Sequence, residues 1–132
     1  MDYRVHTVGA IVSAFGVGYL ENKIGLQGHS LYLYGGAVIG GLLPDIDHPD
    51  SFLGSMISPL SELIIHAVGH RTFTHSLLFA FIAGLIFSVF KIAFGVGVLI
   101  GILSHIILDL LTPKTNGVAF LYPFHKEKIK IL

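Results

Sequence analysis

Charge is what this sequence has least of. Lysine, arginine, aspartate and glutamate together make up 12% of its 132 residues, about half the ~25% of an ordinary soluble chain. With a strongly positive mean hydropathy, that deficit argues against a soluble domain and for a membrane protein. Eight basic residues cancel eight acidic ones, so no nucleic-acid footprint is present. Cysteine is absent, which removes disulfides, thiolate metal ligands and cysteine nucleophiles. The helical His-Glu-x-x-His pattern of zincin proteases is missing too.

What the chain does have is apolar runs and eight histidines. Its length fits one domain, 1–132. Four candidate spans can be drawn at about 5–20, 31–43, 73–90 and 94–111, bounded by Glu21-Asn22-Lys23, Pro44, Lys91 and Pro113. The first could pass for a signal peptide, but it has no clear small-residue cleavage site before Glu21 and reads as an uncleaved span. All four are short against the ~20 residues that cross a bilayer core. Small residues recur four apart at Gly36 and Gly40, Ala80 and Gly84, and Gly97 and Gly101, a spacing that lets helix backbones approach closely in lipid. The expectation is an all-α integral membrane protein, a compact four-helix transmembrane bundle.

Between spans two and three the sequence changes character. Pro44-Asp45-Ile46-Asp47-His48-Pro49 is a proline-bracketed acidic loop. After it, Ser58 as N-cap and Pro59 at the first helical position begin a short helix. Leu60, Leu63, Ile64, Ala67 and Val68 share one face of it, which suits a helix lying along the membrane surface. The tail 113–132 mixes Lys114, Lys126, Lys128 and Lys130 with Phe120, Tyr122 and Phe124, as an interfacial segment does. With four spans, six of the eight Lys and Arg share a side with both termini and the central loop, leaving Lys23 and Lys91 opposite. Positive-inside then puts both termini in the cytoplasm of a multi-pass protein of the inner (cytoplasmic) membrane.

On that topology the ionisable groups gather at one end of the bundle. His6 starts span one, and Asp45, Asp47 and His48 follow span two. His70, Arg71 and His75 open span three, and His105 and Asp109 close span four. His105 and Asp109, four apart, stack on one helix face, where a polar pair in lipid is costly unless something occupies it. His70 and His75, five apart, do not share a helix face, so His70 must precede the helix if both point inward. His66 and His125 read as interfacial, and His29 falls on the other side.

Imidazole with carboxylate suits a divalent transition metal, zinc or manganese with iron(II) as a further choice. The candidate ligands are His6, Asp45, Asp47, His70, His75, His105 and Asp109, many for one ion, so two ions are expected. Two metals can clamp an in-line displacement at phosphorus and activate a water as nucleophile. Arg71 and Thr74 could bind an anionic substrate group, although Arg71 also reads as a plain positive-inside arginine. His48 is open between a ligand, a partner of a ligand and a solvated loop residue; in the catalytic reading it protonates the leaving alkoxide.

Four blocks then carry a resemblance. Leu42-Leu43-Pro44-Asp45-Ile46-Asp47-His48-Pro49, His70-Arg71-Thr72-Phe73-Thr74-His75-Ser76-Leu77-Leu78, Ser104-His105-Ile106-Ile107-Leu108-Asp109-Leu110-Leu111-Thr112-Pro113-Lys114 and Leu121-Tyr122-Pro123-Phe124 resemble, in order and spacing, the YdjM-like family of inner-membrane proteins, to which metal-dependent hydrolysis is ascribed. The resemblance implies a bacterial or archaeal membrane protein with a hydrolase-like metal centre. By motif position it implies Asp45, Asp47, His70, His75, His105 and Asp109 as ligands, with His6 beside them. The scatter of His and Asp over several helices is also similar to that of the zinc-dependent phospholipase C and P1 nuclease group. The expected function is a phosphoesterase, phospholipase-like, that meets a phospholipid or lipid-linked phosphoester at the cytoplasmic interface. The alternatives are a metal-ion or proton transporter, or a non-catalytic membrane protein with a structural metal.

Overall fold

The computed structural model describes residues 2–132 and is all-helical. Helix α1 (Tyr3–Lys23) starts at Asp2, whose carboxylate accepts from the Arg4 amide. Helix α2 (Leu31–Leu42) is capped by Ser30 and runs directly into a 3-10 turn, Leu43–Asp47, begun by Pro44. Two short helices follow, α3 (Phe52–Met56) and α4 (Ser58–Val68). A second 3-10 turn (Phe73–His75) leads into α5 (Leu77–Ser88), capped by Ser76. Helix α6 (Ile92–Leu111) is the longest after α1 among the described residues.

The architecture turns on α6, which packs against α1, α2 and α5. One side of it, Val98, Ile102, Ile106 and Leu110, is buried with Ala80, Ala83 and Val118. A second cluster, Ala10, Ala14, Leu33 and Ala37, joins α1 to α2. The α2–α6 crossing is made of glycine. A Cβ on Gly36 or Gly40 would strike the carbonyls of Phe94 and Val98, and one on Gly97 or Gly101 would strike those of Leu33 and Ala37. At those four positions backbone meets backbone, which only the residue without a side chain permits. The small-residue spacing is thus realised as close approach, and Gly84 packs similarly against Leu99 of α6.

Helix boundaries follow the drawn runs at α1, α2 and α6, with two differences. The third run does not begin as an α-helix at Phe73: residues 73–75 form the 3-10 turn, and α5 stops at Ser88. Ser58 does not cap α4 with its side chain; the cap position falls on Ile57, with Pro59 in the first turn. The apolar side chains of α4 are not buried in the protein, for Leu60 and Leu63 stay exposed. The tail is more engaged than an interfacial segment needs to be. Val118 pairs with Ile129 through two backbone hydrogen bonds, the Ala119 amide donates to the Arg71 carbonyl, and Phe120 accepts from the Leu77 amide.

Among the described residues, only α6 is by length and composition long and apolar enough to cross a membrane. Helices α2 and α5 have 12 residues each, about 18 Å at ~1.5 Å per residue, against a hydrocarbon core of ~30 Å. Yet the outer faces of the shorter helices are apolar too. Val8, Val12, Phe15 and Leu20 of α1 and Phe81, Leu85 and Ile86 of α5 are all at least half exposed, far more apolar surface than a water-soluble monomer shows.

Candidate metal centre

Four elements contribute six side chains to a single cluster. His6 comes from the first turns of α1, Asp45 and Asp47 from the 3-10 turn after α2, His75 from the turn before α5, and His105 and Asp109 from α6. His6, Asp47, His75, His105 and Asp109 are each at most 1% exposed. Burying five such groups together is costly unless their lone pairs and protons are matched.

The hydrogen bonds show which lone pairs remain. Nδ1 of His105 lies 2.7 Å from the Gly41 carbonyl, and since a carbonyl only accepts, Nδ1 carries the proton. Its Nε2 is therefore a bare lone pair, and that atom has no partner. His75 is anchored through Nδ1 as well. The Thr74 hydroxyl gives its one proton to Asp47 Oδ2 at 2.6 Å, so at 3.1 Å it can only accept from His75 Nδ1. His75 Nε2 is left unpartnered and buried. In this way two imidazoles are fixed, each with Nδ1 anchored and Nε2 presented, the usual state of a metal-ligating histidine.

These two nitrogens face carboxylate oxygens. His75 Nε2 is 3.5 Å from Asp109 Oδ2, and His105 Nε2 is 3.8 Å from the same oxygen and 3.6 Å from Asp45 Oδ1. His6 Nε2 lies 3.6 Å from Asp109 Oδ1, and the His6 ring stacks on His105 with centroids 3.6 Å apart. Asp109 Oδ1 and His6 Nδ1 also lack partners. Unpartnered ring nitrogens thus face carboxylate oxygens, an arrangement that a cation among its members stabilises, and of these oxygens the Arg71 guanidinium meets only Asp109 Oδ2. Two sets have ligand atoms within 4.8 Å of one another: His6 with His105 and Asp109, and Asp45 with His75 and His105. Both sets use His105. The donor set, imidazole nitrogen and carboxylate oxygen, fits a divalent transition ion.

Asp47 and His70 stand differently. Asp47 Oδ1 receives His70 Nδ1 at 2.6 Å, and Oδ2 receives the Arg71 amide at 2.9 Å and the Thr74 hydroxyl. Both oxygens are occupied, so Asp47 holds the histidines in place from behind and neither set includes it. Burial pushes its carboxyl up, but the bond from His70 and the nearby His75 ring, 3.4 Å away, outweigh this and hold it well below the usual carboxylate range. Burial raises the Asp45 carboxyl.

The three residues expected to act on substrate are placed as follows. Arg71 has φ of +57°, a conformation uncommon outside glycine, and it aims its Nε at Asp109 Oδ2, 2.7 Å away. Thr74 is 2% exposed and its hydroxyl is committed to Asp47 and His75, so it positions a ligand and does not face a substrate. His48 sits at the rim, partly exposed, with its ring edge-on to His70 at 4.9 Å. Asp45, 15% exposed on its side chain, also lines a cleft of about 200 Å³ with Asp2, Tyr3, Asp50, Ser51 and Phe52, so the centre has an approach of mixed polar and aromatic lining.

The comparisons bear on this geometry because its residues lie in blocks spread over the whole chain. The family model described as YdjM inner membrane protein matches residues 1–132. The chain belongs to the YdjM family. The inner membrane protein YdjM of Escherichia coli is 45% identical over 105 residues, covering 74% of this chain and 52% of that protein, and YdjM of Shigella flexneri matches equally. The uncharacterized protein YvsG of Bacillus subtilis is 35% identical over 125 residues, 93% of this chain and 74% of its own length. The chain thus spans about half the length of the YdjM proteins it matches. No solved structure matches it. YdjM membership makes the chain a membrane protein, in keeping with its exposed apolar faces.

Two parts of the centre had no counterpart in the sequence reading. The Gly41 carbonyl holds His105, and its place at the end of the α2 glycine stripe was the available signal. The tail's bond to the Arg71 carbonyl had none.

Proposed function

We propose that this YdjM-family protein is a metal-dependent hydrolase built as a four-span bundle, with one divalent transition ion held by His6, Asp45, His75, His105 and Asp109. The carrying observation is that His75 and His105 each present a buried Nε2 without a hydrogen-bond partner to carboxylate oxygens. One ion replaces the two suggested by the donor count, because both ligand sets need His105 and its Nδ1 is already committed to Gly41.

The substrate class is a phosphoester on a lipid or lipid-linked molecule. Supporting this are a centre approached by a cleft of mixed polar and aromatic lining through Asp45 and exposed apolar helix faces. A bound divalent ion would supply a water of lowered pKa and neutralise charge on a phosphoryl oxygen. The chain's own residues do the rest. Thr74 and Asp47 keep the proton on His75 Nδ1, and the Gly41 carbonyl keeps it on His105 Nδ1. Arg71, tethered to Asp109 by Nε, carries a guanidinium beside the centre that can pair with substrate oxygens. His48 at the rim supplies a proton to the departing oxygen.

The test is elemental mass spectrometry on detergent-purified protein, wild type beside Asp109→Asn and His75→Asn, followed by screening of phosphodiesters and phospholipids. The expected result is one equivalent of a transition metal in wild type, lost in both variants, with hydrolysis that depends on it. Absence of metal after reconstitution with zinc and manganese would overturn the reading.

A further inference from the structure

Against Thr74, whose hydroxyl holds Asp47, lies an apolar cleft of about 310 Å³. Its walls are Leu43 and Ile46 from the 3-10 turn, Ile64 from α4, and Phe79, Ile82 and Ile86 from α5. Thr74 is the sole polar residue in its lining among the described residues. The α5 residues recur at helical spacing over Phe79 to Phe87, a strip about 12 Å long at ~1.5 Å per residue. The cleft is open along the flank where Ile82 and Ile86 are 39% and 63% exposed.

Its walls are shared with the site. Leu43 and Ile46 alternate with Asp45 and Asp47 on the same turn, and Thr74 lines the cleft while its hydroxyl holds Asp47. The cleft is also continuous with the exposed apolar face of α5 in a protein of the membrane. An occupant must then be apolar, narrow and supplied from the hydrocarbon side, with any polar end directed to the 3-10 turn. Water gains nothing in such a lining.

We propose that this cleft seats one acyl chain of a membrane phospholipid, bringing its phosphate end towards the centre that Asp45 and Asp47 border. The proposal deepens the hydrolase reading and rests on it for the lipid's role as substrate, but the seat itself is tested without turnover. Its hydrophobic gain comes from apolar contact with six side chains that packing leaves partly uncovered.

The experiment uses the full chain reconstituted in phosphatidylethanolamine and phosphatidylglycerol vesicles containing a phosphatidylglycerol with a diazirine on its acyl chain. After irradiation, cross-linked residues are mapped by peptide mass spectrometry. Labels are expected to concentrate on Ile64 and on Ile82 to Phe87. They should fall several-fold in Ile82→Trp and in Ile86→Trp, whose bulk enters the cleft from its open edge, but persist in Val12→Trp on the outer face of α1. Since the chain has no native tryptophan, the emission of each variant, with its melting temperature, reports that it is folded. Labelling spread evenly over α1 and α5, or indifferent to Ile82→Trp and Ile86→Trp in folded protein, overturns the seat. A native mass equal to two chains with the cleft protected from label also overturns it, in favour of a second copy. Cleft labelling without phosphoester hydrolysis leaves the seat standing and counts against the hydrolase, whereas hydrolysis without cleft labelling does the reverse.

Discussion

The most informative atoms in the structure are two imidazole nitrogens. His75 and His105 are fixed as Nδ1–H tautomers by different devices, one by a Thr74–Asp47 pair and the other by a backbone carbonyl. The difference yields a test of roles. Asp47→Asn weakens an anchor but removes no ligand in the arrangement described, so metal affinity should drop roughly 10- to 100-fold, measured by competition with a chelator. Asp109→Asn should abolish binding. If the two variants lose metal equally, Asp47 is itself a ligand. Seen from sequence, Asp45 and Asp47 were indistinguishable, because residue type and spacing are the same for an acid that holds a metal and an acid that holds a histidine. Which oxygen points where depends on the 3-10 turn and on the donors that 70–75 bring to it.

At the scale of elements, the crossing of α2 on α6 sets the geometry of the centre. The glycines that let the backbones touch also carry the Gly41 carbonyl to within reach of His105. Gly101→Ala would drive a Cβ into the Ala37 carbonyl and the Gly41 amide, the latter 2.6 Å away. Backbone cannot step aside as a side chain can, so the expected cost is about 1–3 kcal/mol, with metal lost in the same variant. Gly16→Ala makes a matched control on α1. Nothing lies within 4 Å of its added Cβ, and the better helix propensity should stabilise by up to ~1 kcal/mol. Thermal melting in detergent with metal analysis of both variants decides the point. Equal melting temperatures and metal content would show that the crossing tolerates a wedge. The glycine spacing was legible in the sequence, whereas the pairing of Gly36 and Gly40 with Gly97 and Gly101 was not, since spacing names no partner helix. Ser58 was misplaced as a capping side chain because a serine before a proline signals a helix start whether or not its hydroxyl turns inward.

For the whole molecule the matter to decide is how the helices sit in the bilayer, since among the described residues α6 alone is both long and apolar enough to cross it. A four-span arrangement with both termini in the cytoplasm makes a prediction that the absence of cysteine renders easy to check. Single cysteines at the exposed positions Ser55 and Glu127 should react with a membrane-impermeant maleimide only after spheroplasts are opened. One at Gln27, between α1 and α2, should react in intact spheroplasts. Labelling of Gln27→Cys and Ser55→Cys from the same side would mean that α2 does not cross.

The sequence by itself determined the solvent and the donor chemistry: scarce charge and apolar runs specify a membrane protein, and histidines and aspartates at the ends of those runs specify groups that could hold a cation. Residue types and their periods carry that information locally. Tertiary structure decided which of those groups keep unpartnered atoms facing one another and which are taken up in hydrogen bonds, because that depends on where each lone pair finds a proton. It also decided that the tail clasps Arg71 and that an apolar cleft adjoins the centre. Those are contacts between elements distant in the chain, and no local pattern encodes them.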